Sequence, residues 1–364
     1  VVYTPGSGTN LKDVAGNLIS ATTFSTSQVI NKTAPGQVST ILSMSGDSGS
    51  STVDFITNDG TSGKVVTGTI SSALRTGEVL QVSFNGGATW QTATTTGTSW
   101  TATDSSGHTG NWTIQGKVVS STNINGAVAT QAVLYNATLE ASPTLSLTTD
   151  SGTSGDKITN SALITTNSLL QHSNLANVTT RTYIVDGVSS STYVAPTTNG
   201  SHQVVVTDKD LAGNTASSTL NFTLDATAPT LDQTTSAVTG DTWVVSYADM
   251  GSGFSSELPA TSNFTVTVYS NADITKPTIV SVTSVRIDSI NQQIILTLAS
   301  AVQSGDTVQV VYTPGSGTNL KDVAGNLISA TTFSTSQVIN KTAPGQVSTI
   351  LSMSGDSGSS TVDF

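Results

Sequence analysis

The chain has 364 residues, 35% of them apolar, 10% charged and none cysteine, and its formal net charge is −11. That apolar and β-branched content is too high, and the charge too low, for a disordered polymer. The acidic balance repels nucleic-acid backbones, and the lack of cysteine excludes a disulfide framework and thiolate metal sites.

In chain order, the opening "VVYTPGSG" reads as the middle of a strand, so the chain is expected to be a segment of something longer. No signal peptide is evident, and no apolar run approaches the roughly 20 residues that span a bilayer. Residues 1–55 recur without a change at 310–364. Surface positions match as well as core positions, which points to a recent duplication and an array of repeated units. Residues 1–33 are then the end of a unit (a copy of 310–342). Three whole units follow, at 34–138, 139–228 and 229–341, and 342–364 starts the next as a copy of 33–55. The unit boundaries carry "NKTAPG", "YNAT" and "LDATAP". Proline fixes φ and disfavours helix before it, so these read as short, stiff linkers.

Within each unit, apolar residues alternate with period two. "KVVTGTISSAL", "EVLQVSFNGG", "HQVVVTDKD", "TLNFTLD", "TWVVSYAD", "NFTVTVYS", "QQIILTLAS" and "DTVQVVYTP" read as strands. "FNGGATW" reads as a hairpin turn. No segment keeps helical periodicity beyond two turns. The pattern predicts an all-β chain of tandem immunoglobulin-like β-sandwich domains arranged end to end.

The units also resemble known families. Residues 52–138 resemble bacterial immunoglobulin-like repeats on "DFITNDG", "VSFNGGATW" and the late "SW". Residues 139–228 resemble the same family on "VVVTDKDLAGN" followed by "LDATAP". Residues 229–341 are similar to the related repeat of giant bacterial surface proteins on "NFTVTV", "LTLASAVQSGDTVQVVYT", "LKDVAGN" and "VINKT". The resemblance implies stalks of adhesins and biofilm proteins, stiffened by calcium between domains.

"LKDVAGN" stands at 11–17 and 320–326, with a cousin "DKDLAGN" at 208–214. An EF-hand reading puts Asp208, Asp210 and Gly213 at positions 1, 3 and 6 but fails at Ala212 and Thr219. A hairpin between the last two strands explains Gly16, Gly213 and Gly325 as positive-φ residues, but not the acids before them. In an immunoglobulin-like sandwich that hairpin lies at the end receiving the incoming linker. At the first junction Asp208 and Asp210 should therefore approach Asn136, with Asp47, Asp54 or Asp59 added from the preceding unit. At the second, Asp322 should approach Asp225, with Asp150 and Asp156 completing the set. Asp13, the copy of Asp322, belongs to the same candidate set. Clustered carboxylates repel, and calcium, which takes 6–8 oxygens, would relieve them; solvated acids are the plainer reading. The third junction, with Asn31 or Asn340, Asn123 and Asp241, is expected to hold a weak site or none.

Other chemistry finds little support. His108, His172 and His202 have no metal-ligand spacing and read as loop or strand surface residues. No nucleophile elbow occurs, and the acids lack an aromatic sugar platform for glycoside hydrolysis. Trp90, Trp100 and Trp112 read as core, with a glycan-stacking face as the sharper option, and Trp243 reads as core.

The expected function is non-enzymatic: an extracellular spacer, on the bacterial surface or in a secreted matrix, that reaches on the order of 120 Å per period on strands of about 34 Å. It would project a distal region that binds a glycan or cell-surface ligand. Its partners are neighbouring repeats of the same chain. A self-assembling matrix filament or surface layer, pairing with copies of itself, and a glycan-binding module are the alternatives.

Overall fold

The computed structural model describes residues 2–23, 33–139, 141–169 and 178–345. Among these there is no α-helix; two single 3-10 turns, Thr261–Asn263 and Ser270–Ala272, interrupt an otherwise all-β chain. Among the described residues no helix is long and apolar enough to cross a membrane.

By internal contacts the chain divides into two compact units. One comprises Val1–Pro143, Asn167–Thr182 and Val206–Ser218. The other comprises Thr144–Thr166, Tyr183–Val205 and Thr219–Phe364.

Apart from the pair Val2–Tyr3 and Thr22–Thr23, the described strands group into three sandwiches. In the first, one sheet runs in the order Ile56–Thr57, Asn125–Tyr135, Trp112–Val119, Val79–Ser83, Gln91–Thr92. The other runs Ser39–Met44, Lys64–Ile70, Ser99–Asp104, Thr94–Thr96. Period-two alternation in the sequence becomes alternation in burial. Along Lys64–Ile70 every second side chain points into a core built on Val66, Leu80, Ile114 and Trp100. Trp100 is fully enclosed, and its indole N–H donates to the Thr69 carbonyl at 3.1 Å. "FNGGATW" is the turn joining Val79–Ser83 to Gln91–Thr92.

The middle sandwich pairs Leu145–Leu147 with Ile164–Thr166. Its larger sheet has the order Ile158–Thr159, Thr215–Leu224, Gly200–Asp210, Val178–Val185, Val188–Ser190.

In the third, Thr230–Thr239 and Thr242–Ala248 lie between Ile339–Asn340 on one side and Gln293–Leu298 with Val282–Asp288 on the other. The facing sheet is Pro277–Val280, Phe264–Tyr269, Thr307–Tyr312, Thr331–Phe333. Its core centres on Trp243, which meets Phe333 edge-on at 5.1 Å and donates to Ser236 Oγ at 2.9 Å. The buried Tyr312 hydroxyl accepts the Leu320 amide at 2.9 Å, which anchors the turn that carries Asp322.

In every sandwich an early strand pairs in parallel with the last strand. Ile56 lies opposite Leu134, Ile158 opposite Thr223, and Ala237 opposite Ile339.

The "AGN" turn takes two forms. At Gly213 (φ 94°) it is the hairpin between Gly200–Asp210 and Thr215–Leu224. At Gly325 (φ 89°) it is a tight turn closed by the single bridge between Lys321 and Leu327, not a hairpin of the last two strands. The stretch 313–330, rich in Gly, Asn and Ser, supplies no apolar alternation to extend that bridge into strands.

Candidate metal centre

Where one sandwich gives way to the next, the same frame of contacts appears twice. At the first seam the exit loop of the preceding sandwich touches the receiving turn through Ser48, whose hydroxyl donates to the Ala212 carbonyl at 2.5 Å and accepts the Asn58 amide at 2.8 Å. At the second, Ser151 donates to the Ala324 carbonyl at 2.6 Å and accepts the Asn160 amide at 2.8 Å. The next residue is glycine in both, with positive φ at Gly49 (96°) and Gly152 (73°). A Cβ on Gly152 would stand 1.9 Å from the Val323 carbonyl oxygen, and one on Gly49 the same distance from that of Leu211. The backbones meet too closely for any side chain.

Each receiving turn is braced alike. Asn214 donates its amide N–H to Asp210 Oδ1 (2.8 Å) and its side-chain Nδ2 to Asp210 Oδ2 (2.9 Å) and to the Asn136 carbonyl (2.8 Å). Asn326 does the same to Asp322 Oδ1 (2.7 Å) and Oδ2 (2.7 Å) and to the Asp225 carbonyl (2.7 Å).

The seams differ in charge. At the second, Asp225, Asp249 and Asp322 each place a carboxylate oxygen within 4.8 Å of the others. Asp225 (1% exposed) and Asp322 (0%) are buried. Asp225 is held in place by donors: Asn199 Nδ2 at 2.9 Å and the Thr227 amide at 3.1 Å on Oδ1, and the Ser252 amide at 2.6 Å on Oδ2. Gly251 permits that approach, because a Cβ there would overlap the Asp225 carboxylate at 2.1–2.4 Å. Both Asp249 side-chain oxygens are shielded from solvent and accept no hydrogen bond. Burial pushes the Asp322 carboxyl above its ordinary range, against the Asn326 bonds, and the charges of Asp225 and Asp249 push it further. Three carboxylates and no imidazole or thiolate form a hard, all-oxygen donor set, which suits calcium better than zinc or copper.

At the first seam the structure brings Asn136 and Asp210 together: Asn136 Nδ2 donates to Asp210 Oδ2 at 2.9 Å. Asp208 is elsewhere than expected. It points inward and is clasped by Arg181, with Nε to Oδ1 at 2.6 Å and Nη2 to Oδ2 at 2.7 Å, both side chains being buried. A bidentate guanidinium gives the buried carboxylate an opposite charge and two charge-assisted hydrogen bonds.

The exit-loop acids make hydrogen bonds within their own loops, and Asp150, like Asp47, keeps one shielded oxygen without a partner. Asp47 Oδ2 accepts the Phe55 amide at 3.0 Å, and burial raises its carboxyl while Oδ1 finds no partner. Asp54 caps Ile56 at 3.1 Å. Asp59 pairs with Lys64 at 2.8 Å, and this bond, with those from Thr61, lowers its pKa to about 2. Asp150 accepts the Gly155 amide at 2.7 Å and Asp156 the Ile158 amide at 2.8 Å. Asp13 is exposed and bonded to Asn17, which lowers its carboxyl. At the third junction Asp241 is exposed, Asn340 donates to the Gln303 and Asp306 carbonyls, Asn123 sits at positive φ (59°), and Asn31 lies outside the described residues.

Sequence reasoning did not single out Asp249. It comes from the receiving sandwich, in the loop after Thr242–Ala248, not from the preceding unit's exit loop. The signal available was an acid followed by the small-residue run "GSG", which lets backbone fold back onto a linker.

The histidines depart from the surface reading. His202 is buried, with Nδ1 at 2.7 Å from Asp186 and Nε2 at 2.8 Å from the Thr198 carbonyl. His108 stacks on Trp112 at 4.1 Å and bonds to Asp104. His172 lies outside the described residues. Of the tryptophans, Trp100 and Trp112 are core, and Trp90 has its face covered by the Lys117 ammonium at 3.8 Å.

Two stretches of the chain match known family models. Residues 137–226 match the family model described as a bacterial Ig-like domain, and 224–317 match one described as a putative flagellar system-associated repeat. No curated protein matches the chain. Among solved structures, one concerned with host cell surface retention of a 1.5-MDa bacterial ice-binding adhesin is 16% identical. It covers 85% of this chain and 97% of that one, with a TM-score of 0.37. The tetra-tandem repeat in the extending region of a large adhesion protein is 17% identical, over 82% and 74% of the two chains, with a TM-score of 0.23. The fibronectin(III)-like modules of Clostridium thermocellum CbhA are 17% identical, over 52% and 94%, with a TM-score of 0.28. Residues 137–226 are thus similar to a bacterial Ig-like domain, within a chain of successive β-sandwiches.

Proposed function

We propose that this chain is a structural extender segment of a long bacterial cell-surface or secreted protein, and that calcium closes the seam between its second and third sandwiches. The observation that carries the calcium reading is the trio Asp225, Asp249 and Asp322, with two shielded, unpartnered oxygens on Asp249. Left alone, three such carboxylates destabilise the seam they occupy. A divalent cation of 6–8 oxygen ligands would turn that repulsion into a bond between linker and receiving sandwich. Repeated units and stiff Ala-Pro linkers support a spacing role. The distal region it would project, for adhesion or biofilm formation, lies elsewhere in the protein.

The test is small-angle scattering and calorimetry of the whole chain in calcium and in chelator. A larger maximum dimension and a higher melting temperature in calcium, both abolished by Asp249→Asn, are expected. Equal profiles with and without calcium would sink the calcium reading.

A further inference from the structure

Both seams share one frame, yet their linker residues differ: Asn136 at the first, Asp225 at the second. We propose that Asn136 and Arg181 make the first seam a cation-free lock, so that calcium governs the second seam and not the first. The contrast with the second seam rests on the calcium reading above; the lock itself does not.

The argument is one of donors and acceptors. Asp210 is fully buried, and its oxygens already receive three N–H groups: two from Asn214 and one from Asn136. An Asn at the linker position supplies a donor where an Asp supplies a second negative charge. The remaining acid of that turn, Asp208, is neutralised by Arg181, which also donates to the carbonyl and side-chain oxygens of Asn167. The two buried acids of the turn are therefore met by amides and a guanidinium, whose hydrogen bonds offset the cost of desolvating each charge. At the second seam the position corresponding to Asp208 is Leu320, which brings no charge, while Asp225 and Asp249 add two carboxylates beside Asp322. The linker amide and the Arg181 guanidinium at the first seam, against the linker carboxylate and Asp249 at the second, thus decide whether a seam closes by itself or waits for an ion.

The chain has no cysteine, so spin-label pairs can be placed cleanly. Val128→Cys with Val188→Cys reports on the first seam, and Val188→Cys with Ile290→Cys on the second; all three positions are exposed. Distance distributions are measured by pulsed electron resonance in calcium and in EDTA. The first-seam distribution is expected to be equally narrow in both. Asn136→Leu should broaden it in both. Asn136→Asp, which keeps the size and loses the donor, should broaden it in EDTA. A wild-type first seam that narrows only in calcium overturns the proposal. So does an Asn136→Asp seam as narrow in EDTA as the wild type. If the second seam ignores EDTA while the first behaves as stated, the calcium reading falls and the lock stands.

Discussion

Residues 2–23 and 311–332 have one sequence, and only the second copy is preceded in this chain by the other strands of its sandwich. Their local structure is the same. Tyr3 accepts the Leu11 amide at 2.7 Å, and Tyr312 accepts that of Leu320 at 2.9 Å. Lys12 bridges Leu18 as Lys321 bridges Leu327, and Gly16 and Gly325 share a φ near 90°. Their burial is opposite. Leu11 is 58% exposed and Leu320 is enclosed; Asp13 is exposed and Asp322 is enclosed. Hydrogen bonds from Asn17 lower the Asp13 carboxyl, whereas burial, with the Asp225 and Asp249 charges, raises that of Asp322. The motif makes the turn, and the neighbouring strands and linker make the site.

The contrast can be broken most strongly at Gly152. Gly152→Ala forces a Cβ against the Val323 carbonyl at a positive φ and should destabilise the third sandwich's attachment by roughly 2–4 kcal/mol, read by chemical denaturation. It would move Asp322 toward the surroundings of Asp13. A smaller effect comes from Asp249→Asn: in chelator it removes one of three facing charges and should raise stability by about 1 kcal/mol, the scale of a one-unit pKa shift. It should also remove the calcium response in thermal melts.

Acidity sharpens the comparison. Because the folded Asp322 carboxyl titrates above its ordinary value, its neutral form is favoured in the fold. Its stabilising contribution is complete below the ordinary carboxylate pKa and is lost as pH rises through the folded value. In chelator the second seam should therefore tighten on mild acidification, and calcium should lower the Asp322 midpoint. Asp13 titrates below its ordinary value, so its contribution runs the other way and is lost as pH falls through its own midpoint. Carboxyl-carbon NMR titration of the two residues should show midpoints on opposite sides of the usual aspartate value. The smallest effect is expected from Asp13→Ala, which should leave the melting temperature unchanged, while Asp322→Ala should lower it and end calcium binding.

Much of this was legible because strands write their burial into period two: "QQIILTLAS" becomes Gln293–Leu298 with every second side chain enclosed. Linker topology likewise brought Asn136 to Asp210 and Asp225 to Asp322. What stayed hidden depends on pairings that parity does not encode. Asp208 and Asp210 alternate correctly for one face, but only strand order reveals that Arg181 stands across from the first. Asp249 needed the backbone at Gly251 to fold onto a linker from another sandwich. The seam contacts of Ser48 and Ser151 are lost among many similar serines.

The parallel pairing of an early strand with the last strand has a mechanical consequence. When the two ends of such a sandwich are pulled apart, these neighbours slide along each other, and the hydrogen bonds of the patch are loaded in shear together. Antiparallel partners at the termini would instead peel one bond at a time. In each sandwich that clamp is only two residues long on each strand, at Ile56–Thr57, Ile158–Thr159 and Ile339–Asn340. Tensile strength is therefore concentrated in a few backbone bonds beside each linker.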